Sequence, residues 1–247
     1  MKKARLLLAP LLAATLFASA PARAVPQLQL DILGGSYDAS TQTIMAGANS
    51  FSLYAYSLSL PGNFFLSMAL VPSTSASGNY GSFTLNGSSV NVTGDMTFGT
   101  PPLETILGGA GTDPGDLASH GIFPTYFAER MFSFSSANQS GIYNTQDDAG
   151  AGPQAGSGMY FARFDFDISG LAAGYGLHFD LYNETLISSC KNRTCTIGDI
   201  DVNKFAPFSH DAGAMVTTIP EPETYAMLLA GLAVLGFAGR RRKPSRA

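Results

Sequence analysis

Apolar and polar residues alternate with period two along much of the chain. The pattern is clearest in MYFARFDFDISG, where Tyr160, Ala162, Phe164, Phe166 and Ile168 share one face and Phe161, Arg163, Asp165 and Asp167 the other. One apolar face at this period predicts a half-buried strand. YGLHFDLYN repeats it, with Leu177, Phe179 and Leu181 facing in and His178, Asp180 and Tyr182 facing out. The link SGLAAG carries Gly170 and Gly174 and reads as a hairpin connection, so the two segments are expected to pair antiparallel.

Further strands are expected in QLQLDIL, FSLYAYSLSL, FFLSMALV, GSFTLNG, SVNVTG and RMFSFS, with turn chemistry at Pro61–Asn63 and Asn86–Ser88. PTYFAERMF is a weak helical candidate that overlaps a strand. Frequent short strands separated by Gly, Asn and Ser predict an all-β fold, an antiparallel β-sandwich of jelly-roll type. Two segments rich in Gly, Ala and Asp, 108–121 and 144–158, carry no apolar period and read as long loops or flexible excursions.

Charge changes the picture by its distribution. The net charge of −4 conceals nine basic residues at the two ends, four before residue 25 and five after residue 239. The body between them holds sixteen acids and five bases, a net charge of −11, which argues against nucleic acid as a partner. Cys190 and Cys195, in CKNRTC, are the two cysteines. In an exported protein so close a pair reads as a disulfide, worth roughly 2 kcal/mol in the chain-entropy model.

Candidate chemistry is sparse. There is no G-x-S-x-G, H-E-x-x-H, P-loop or dinucleotide fingerprint, so the chain is not expected to be an enzyme and no cofactor is assigned. Of the histidines His120, His178 and His210, His178 beside Asp180 on a polar face reads as a solvated residue. Calcium favours clustered hard oxygens. Asp199, Asp201 and Asn203 alternate as in the first half of an EF-hand loop, and with Asp147 and Asp148 they are weak calcium candidates. Lys204 and His210 stand where that loop needs Gly and Glu, so it is not an EF-hand. Tyr126, Phe127, Phe161 and Tyr182 are candidates for a sugar-stacking platform, although a chain without Trp is poorly suited to one.

The two ends carry the strongest signals. Residues 1–24 have a basic start (Lys2, Lys3, Arg5), an apolar run from Leu6 to Phe17 and a small-residue cleavage site at Ala22–Ala24, with Ala18–Ala20 as the alternative. That is a secretory signal. At the other end, Pro220, Glu221 and Pro222 precede fifteen uncharged residues, Tyr225 to Gly239, and then Arg240, Arg241, Arg242 and Lys243. A helix of that length reaches roughly 22 Å, short of the ~30 Å hydrocarbon core, and the basic cluster predicts a cytoplasmic end. The three-part tail resembles the PEP-CTERM sorting signal. The resemblance implies recognition by an exosortase after export through the secretion machinery, transient residence in the inner membrane on a transmembrane helix, and release to the cell surface or matrix. Such proteins accompany exopolysaccharide production.

The stretches GDMTFGTPPLE, DPGDLASHGIFPTYFAE, YNTQDDAGAGP and KFAPFSHDA resemble the choice-of-anchor N type, exported proteins that share a body and differ in their anchor. That resemblance carries no activity. The expected organisation is a signal peptide at 1–24, a β-sandwich body at 25–216 and a sorting and anchor segment at 217–247. The expected function is a surface or matrix protein in a structural or adhesive role. A secreted module that binds polysaccharide or calcium is the alternative.

Overall fold

A computed structural model describes residues 24–103, 117–118, 121–191, 194–217, 227–233 and 235; for 185–191 and 194–199 the description is of backbone alone. The expected signal peptide, the Pro220–Pro222 motif and the Arg240–Lys243 cluster lie outside the described residues.

Two sheets face each other. The first runs in the order β1 (Leu28–Ile32), β4 (Ser50–Ser57), β11 (Gly158–Asp167), β6 (Ser82–Leu85), β7 (Ser88–Asn91), with β10 (Gln139–Gly141) also on β11. The second runs β2 (Ser36–Asp38), β3 (Thr43–Met45), β14 (Asp211–Met215), β12 (Gly176–Lys191), β5 (Phe64–Val71), β9 (Thr125–Phe132), β8 (Thr97–Gly99), with β13 (Thr194–Phe205) on β12. The β3–β14 pair is parallel and the other pairs are antiparallel. This is the expected all-β sandwich. PTYFAERMF is strand β9, held between β5 and β8.

The turn between β6 and β7 follows from its sequence. Leu85 pairs with Ser88, and the two residues between, Asn86 (φ 50°) and Gly87 (φ 80°), are both left-handed. That backbone matches the twist of the flanking strands, and Asn-Gly adopts it most easily.

One expected pairing is not made. β11 lies against β4 in the first sheet, whereas β12 lies between β5 and β14 in the second. The link between them crosses from sheet to sheet, and its backbone is satisfied along the way. Ser82 N–H donates to Gly170 O at 3.0 Å and Ala172 N–H to Tyr80 O at 2.9 Å. Crossing brings the two apolar faces together, with the Phe166 and Phe179 ring centroids 4.8 Å apart. Side by side in one sheet, both faces would need a further layer to cover them.

Alternation also understates burial. Tyr54 and Tyr56 point away from the sandwich interior yet are buried, in a cluster with Tyr143 and Met159. Segment 144–158, expected as a long loop or a flexible excursion, is a loop that forms part of this cover. Gly150 N–H and Gly152 N–H donate to the two oxygens of Asp31 on β1, at 2.7 and 2.9 Å, and the Tyr143 hydroxyl donates to the second at 3.1 Å. Gly150 takes a left-handed φ of 84°, and a Cβ there would fall 2.3 Å from Gly35 O, so glycine is required. Burial raises the Asp31 pKa above the ordinary aspartate value, against the lowering effect of these three donors.

Candidate functional site

The outer face of the second sheet carries a row of polar side chains under cover. The β12–β14 register pairs His178 with Gly213 and Phe179 with Ala212, which brings Asp180 level with Asp211 one step on. On the other side of β12, Asp180 pairs with Ser67 of β5, and Ser67 pairs with Glu129 of β9. Thr43 of β3 pairs with Asp211. The row Thr43, Asp211, Asp180, Ser67, Glu129 thus crosses five strands, and its first four members are buried. Beside it a satellite core of Ala69, Leu117, Phe123, Phe127 and Tyr182 seals the same face.

His178 faces the acidic part of this row. Its Nε2 lies 3.3 Å from Asp180 Oδ1 and 3.8 Å from Asp211 Oδ2. The first is a close ion pair; the second is too long for a hydrogen bond. Among the described residues, neither Asp211 oxygen has a hydrogen-bond partner, nor does Ser67 Oγ. Burial opposes the charged imidazole, but the charge and hydrogen bonding of Asp180, with the nearby Asp211 carboxylate, outweigh it and bring its pKa up to about 10. Burial pushes the Asp211 carboxyl up to about 8, with the His178 charge acting to lower it and the Asp180 charge to raise it.

This corrects the reading of His178 as a solvated residue. The β12 face that alternation marks as outward is covered, so Asp180 and His178 are removed from water together. A signal was present in the sequence: opposite charges two apart inside LHFDLY lie within a run otherwise apolar or aromatic. Asp211 came without one, because only the β12–β14 register places it. A cleft of about 510 Å³ opens beside the cluster, with His178, Thr43, Gly213, Val71, Ile122 and Met215 among its walls.

The sequence candidates fall elsewhere. Asp147 and Asp148 are exposed in the segment before β11, their N–H groups both donating to Asn144 O at 3.1 Å. Asp199, Asp201 and Asn203 belong to strand β13, so their alternation is the pleat of a strand; the Asp199 side chain lies outside the described residues. The one trio of possible metal ligands among the described residues is His178, Asp180 and Asp211. The four candidate sugar-platform aromatics do not assemble: Tyr126 is in the main core, Phe127 and Tyr182 in the satellite core, and Phe161 against the first sheet's outer face. Tyr182 donates its hydroxyl to Glu129. His210 joins Asn144 through Nε2 at 2.9 Å, which ties segment 144–158 to the end of the body.

The end of the chain is decided by comparison with known families. Residues 218–243 match the PEP-CTERM protein-sorting motif. The tail is a PEP-CTERM motif. The match takes in Pro220, Glu221, Pro222 and Arg240–Lys243. It supports an exported protein, anchored at the membrane as a precursor and processed by an exosortase. No curated protein and no solved structure matches the chain.

Within the PEP-CTERM motif, residues 227–233 and 235 are helical, with Met227, Leu228, Leu229, Leu232 and Leu235 exposed. The expected transmembrane helix is not found: no helix among the described residues is long and apolar enough to cross a membrane.

Proposed function

We propose that this is a non-enzymatic protein of the cell surface or extracellular matrix, where its acidic β-sandwich has a structural or adhesive role beside exopolysaccharide. The observation that carries this reading is the PEP-CTERM motif at 218–243. The body supports it by its charge: sixteen acids against five bases keep it soluble and away from anionic polymers unless cations bridge them. Removal of the tail takes five basic residues with it.

Intact-mass measurement on protein released from the cell surface tests the processing. The expected species ends between Thr218 and Pro222, and replacing Pro220, Glu221 and Pro222 by Ala should leave full-length precursor in the membrane fraction. A released species that still carries Arg240–Ala247 overturns the reading. For the matrix role, the wild-type protein is expected to leave the matrix fraction when exopolysaccharide is digested.

Export also bears on the cysteines, whose side chains lie outside the described residues. The β12–β13 register sets Cys190 directly opposite Cys195, and direct antiparallel neighbours are within disulfide reach. Iodoacetamide should label neither cysteine of the exported protein until it is reduced, and both afterwards. Labelling without reductant would show two free thiols.

A further inference from the structure

We propose that His178, Asp180 and Asp211 form a binding site for a single divalent transition-metal ion of the Zn²⁺ class, opening on the cleft beside His178. The three side chains come from two hydrogen-bonded strands at the centre of a sheet, so their separations are set by register rather than by a loop. One ligand atom from each lies within 4.8 Å of the others. In a tetrahedron with bonds of about 2.0–2.1 Å, ligand atoms stand about 3.3 Å apart. His178 Nε2 lies 3.3 Å from Asp180 Oδ1 and 3.8 Å from Asp211 Oδ2, so both of its separations are close to that spacing.

A second observation points to a ligand. The Asp211 side chain is 1 % exposed, and neither of its oxygens has a hydrogen-bond partner among the described residues. A buried carboxylate held only by an ion pair at 3.8 Å is poorly compensated, because desolvation costs more than so distant a charge returns. A cation between Asp211, Asp180 and Nε2 supplies the missing partner to Asp211. Neighbouring Ser67 Oγ, equally without a partner, adds a further oxygen to the polar row.

The donor set selects the ion. One imidazole nitrogen with two carboxylates suits Zn²⁺ or a neighbouring first-row ion. Calcium takes six to eight oxygens, which three side chains led by a nitrogen do not supply. Three protein ligands leave a coordination position for water or a small ligand from the cleft, whose wall includes His178.

The test uses the untagged exported chain, stripped with EDTA and titrated calorimetrically with Zn²⁺, and separately with Mn²⁺ and Ca²⁺. One Zn²⁺ per chain is expected, with little heat from Ca²⁺. Asp211→Asn and His178→Gln, each checked for folding by circular dichroism, should weaken Zn²⁺ binding by about 100-fold or more, since outer-shell changes alone cost 10–100-fold. Replacing exposed Asp147 and Asp148 by Asn should change nothing. Co²⁺ in the wild-type chain should give visible bands of four- or five-coordinate geometry. No Zn²⁺ uptake by the wild-type chain overturns the proposal whether or not the variants fold. So does uptake that survives in Asp211→Asn, or that vanishes in the Asp147/Asp148 variant.

Discussion

Phe179→Ala is expected to lower the stability of the body by about 3–5 kcal/mol, the usual cost of truncating a fully buried phenylalanine. For a body of this size that lowers Tm by about 6–20 °C. Phe179 is 0 % exposed on the inner face of β12. Its ring lies 4.8 Å from that of Phe166 and 6.0 Å from that of Phe51, both on the first sheet. The substitution therefore opens a cavity on the seam between the sheets, where strands on both sides limit collapse. Urea denaturation checks the expectation. Phe161→Ala, on a partly exposed outer face, serves as the comparison and should cost less than half as much. Equal losses from the two would mean that the β11–β12 crossover does not define the main core.

Phe166 and Phe179 also show what the sequence makes legible. Both stand on strands whose period-two pattern is unbroken, and both face the way the pattern says. Such a pattern reports which side of a strand is apolar but not which strand lies opposite. A short link between two strands suggests a hairpin, and nothing local in SGLAAG announces that Tyr80–Ser82 will take up its backbone groups. The pairing partner is a long-range property that the local pattern does not carry.

The outer faces depart from the pattern for a related reason. Alternation assumes that the polar side of a strand meets water. On β12 that side meets Phe123, Phe127 and Leu117, and on β4 it meets Tyr143 and Met159. His178 and Asp180 thus look solvated in the sequence and are buried in the fold. Their third partner, Asp211, is thirty-one positions beyond Asp180 and is delivered only by the β12–β14 register. The acidic loop residues Asp147 and Asp148, conspicuous in the sequence, remain exposed. The PEP-CTERM tail was legible because its signal is local, an ordered succession of prolines, apolar run and arginines that requires no folding to be recognised.

The segment from 144 to 158 provides the second large expected effect. Asp31→Ala should destabilise the body by about 2–4 kcal/mol, because it leaves the Gly150 and Gly152 N–H groups and the Tyr143 hydroxyl without their acceptor. The loss is smaller than three unsatisfied donors would suggest, since removing a buried carboxylate also returns its desolvation cost. Asp31→Asn should fall between wild type and Ala. Burial raises the Asp31 pKa in the fold, so its protonated form is favoured there relative to the unfolded chain. By linkage this group's contribution is present below the unfolded pKa and is lost as pH rises through the folded one. A neutral side chain that keeps one acceptor oxygen is accordingly tolerated better than a methyl group. The effect should be local before it is global. Hydrogen exchange at Gly150 and Gly152, and proteolysis within 144–158, should accelerate in Asp31→Ala under conditions where amides of β12 stay protected. Unchanged protection of those two glycines would mean that the His210–Asn144 contact, rather than Asp31, holds the segment down.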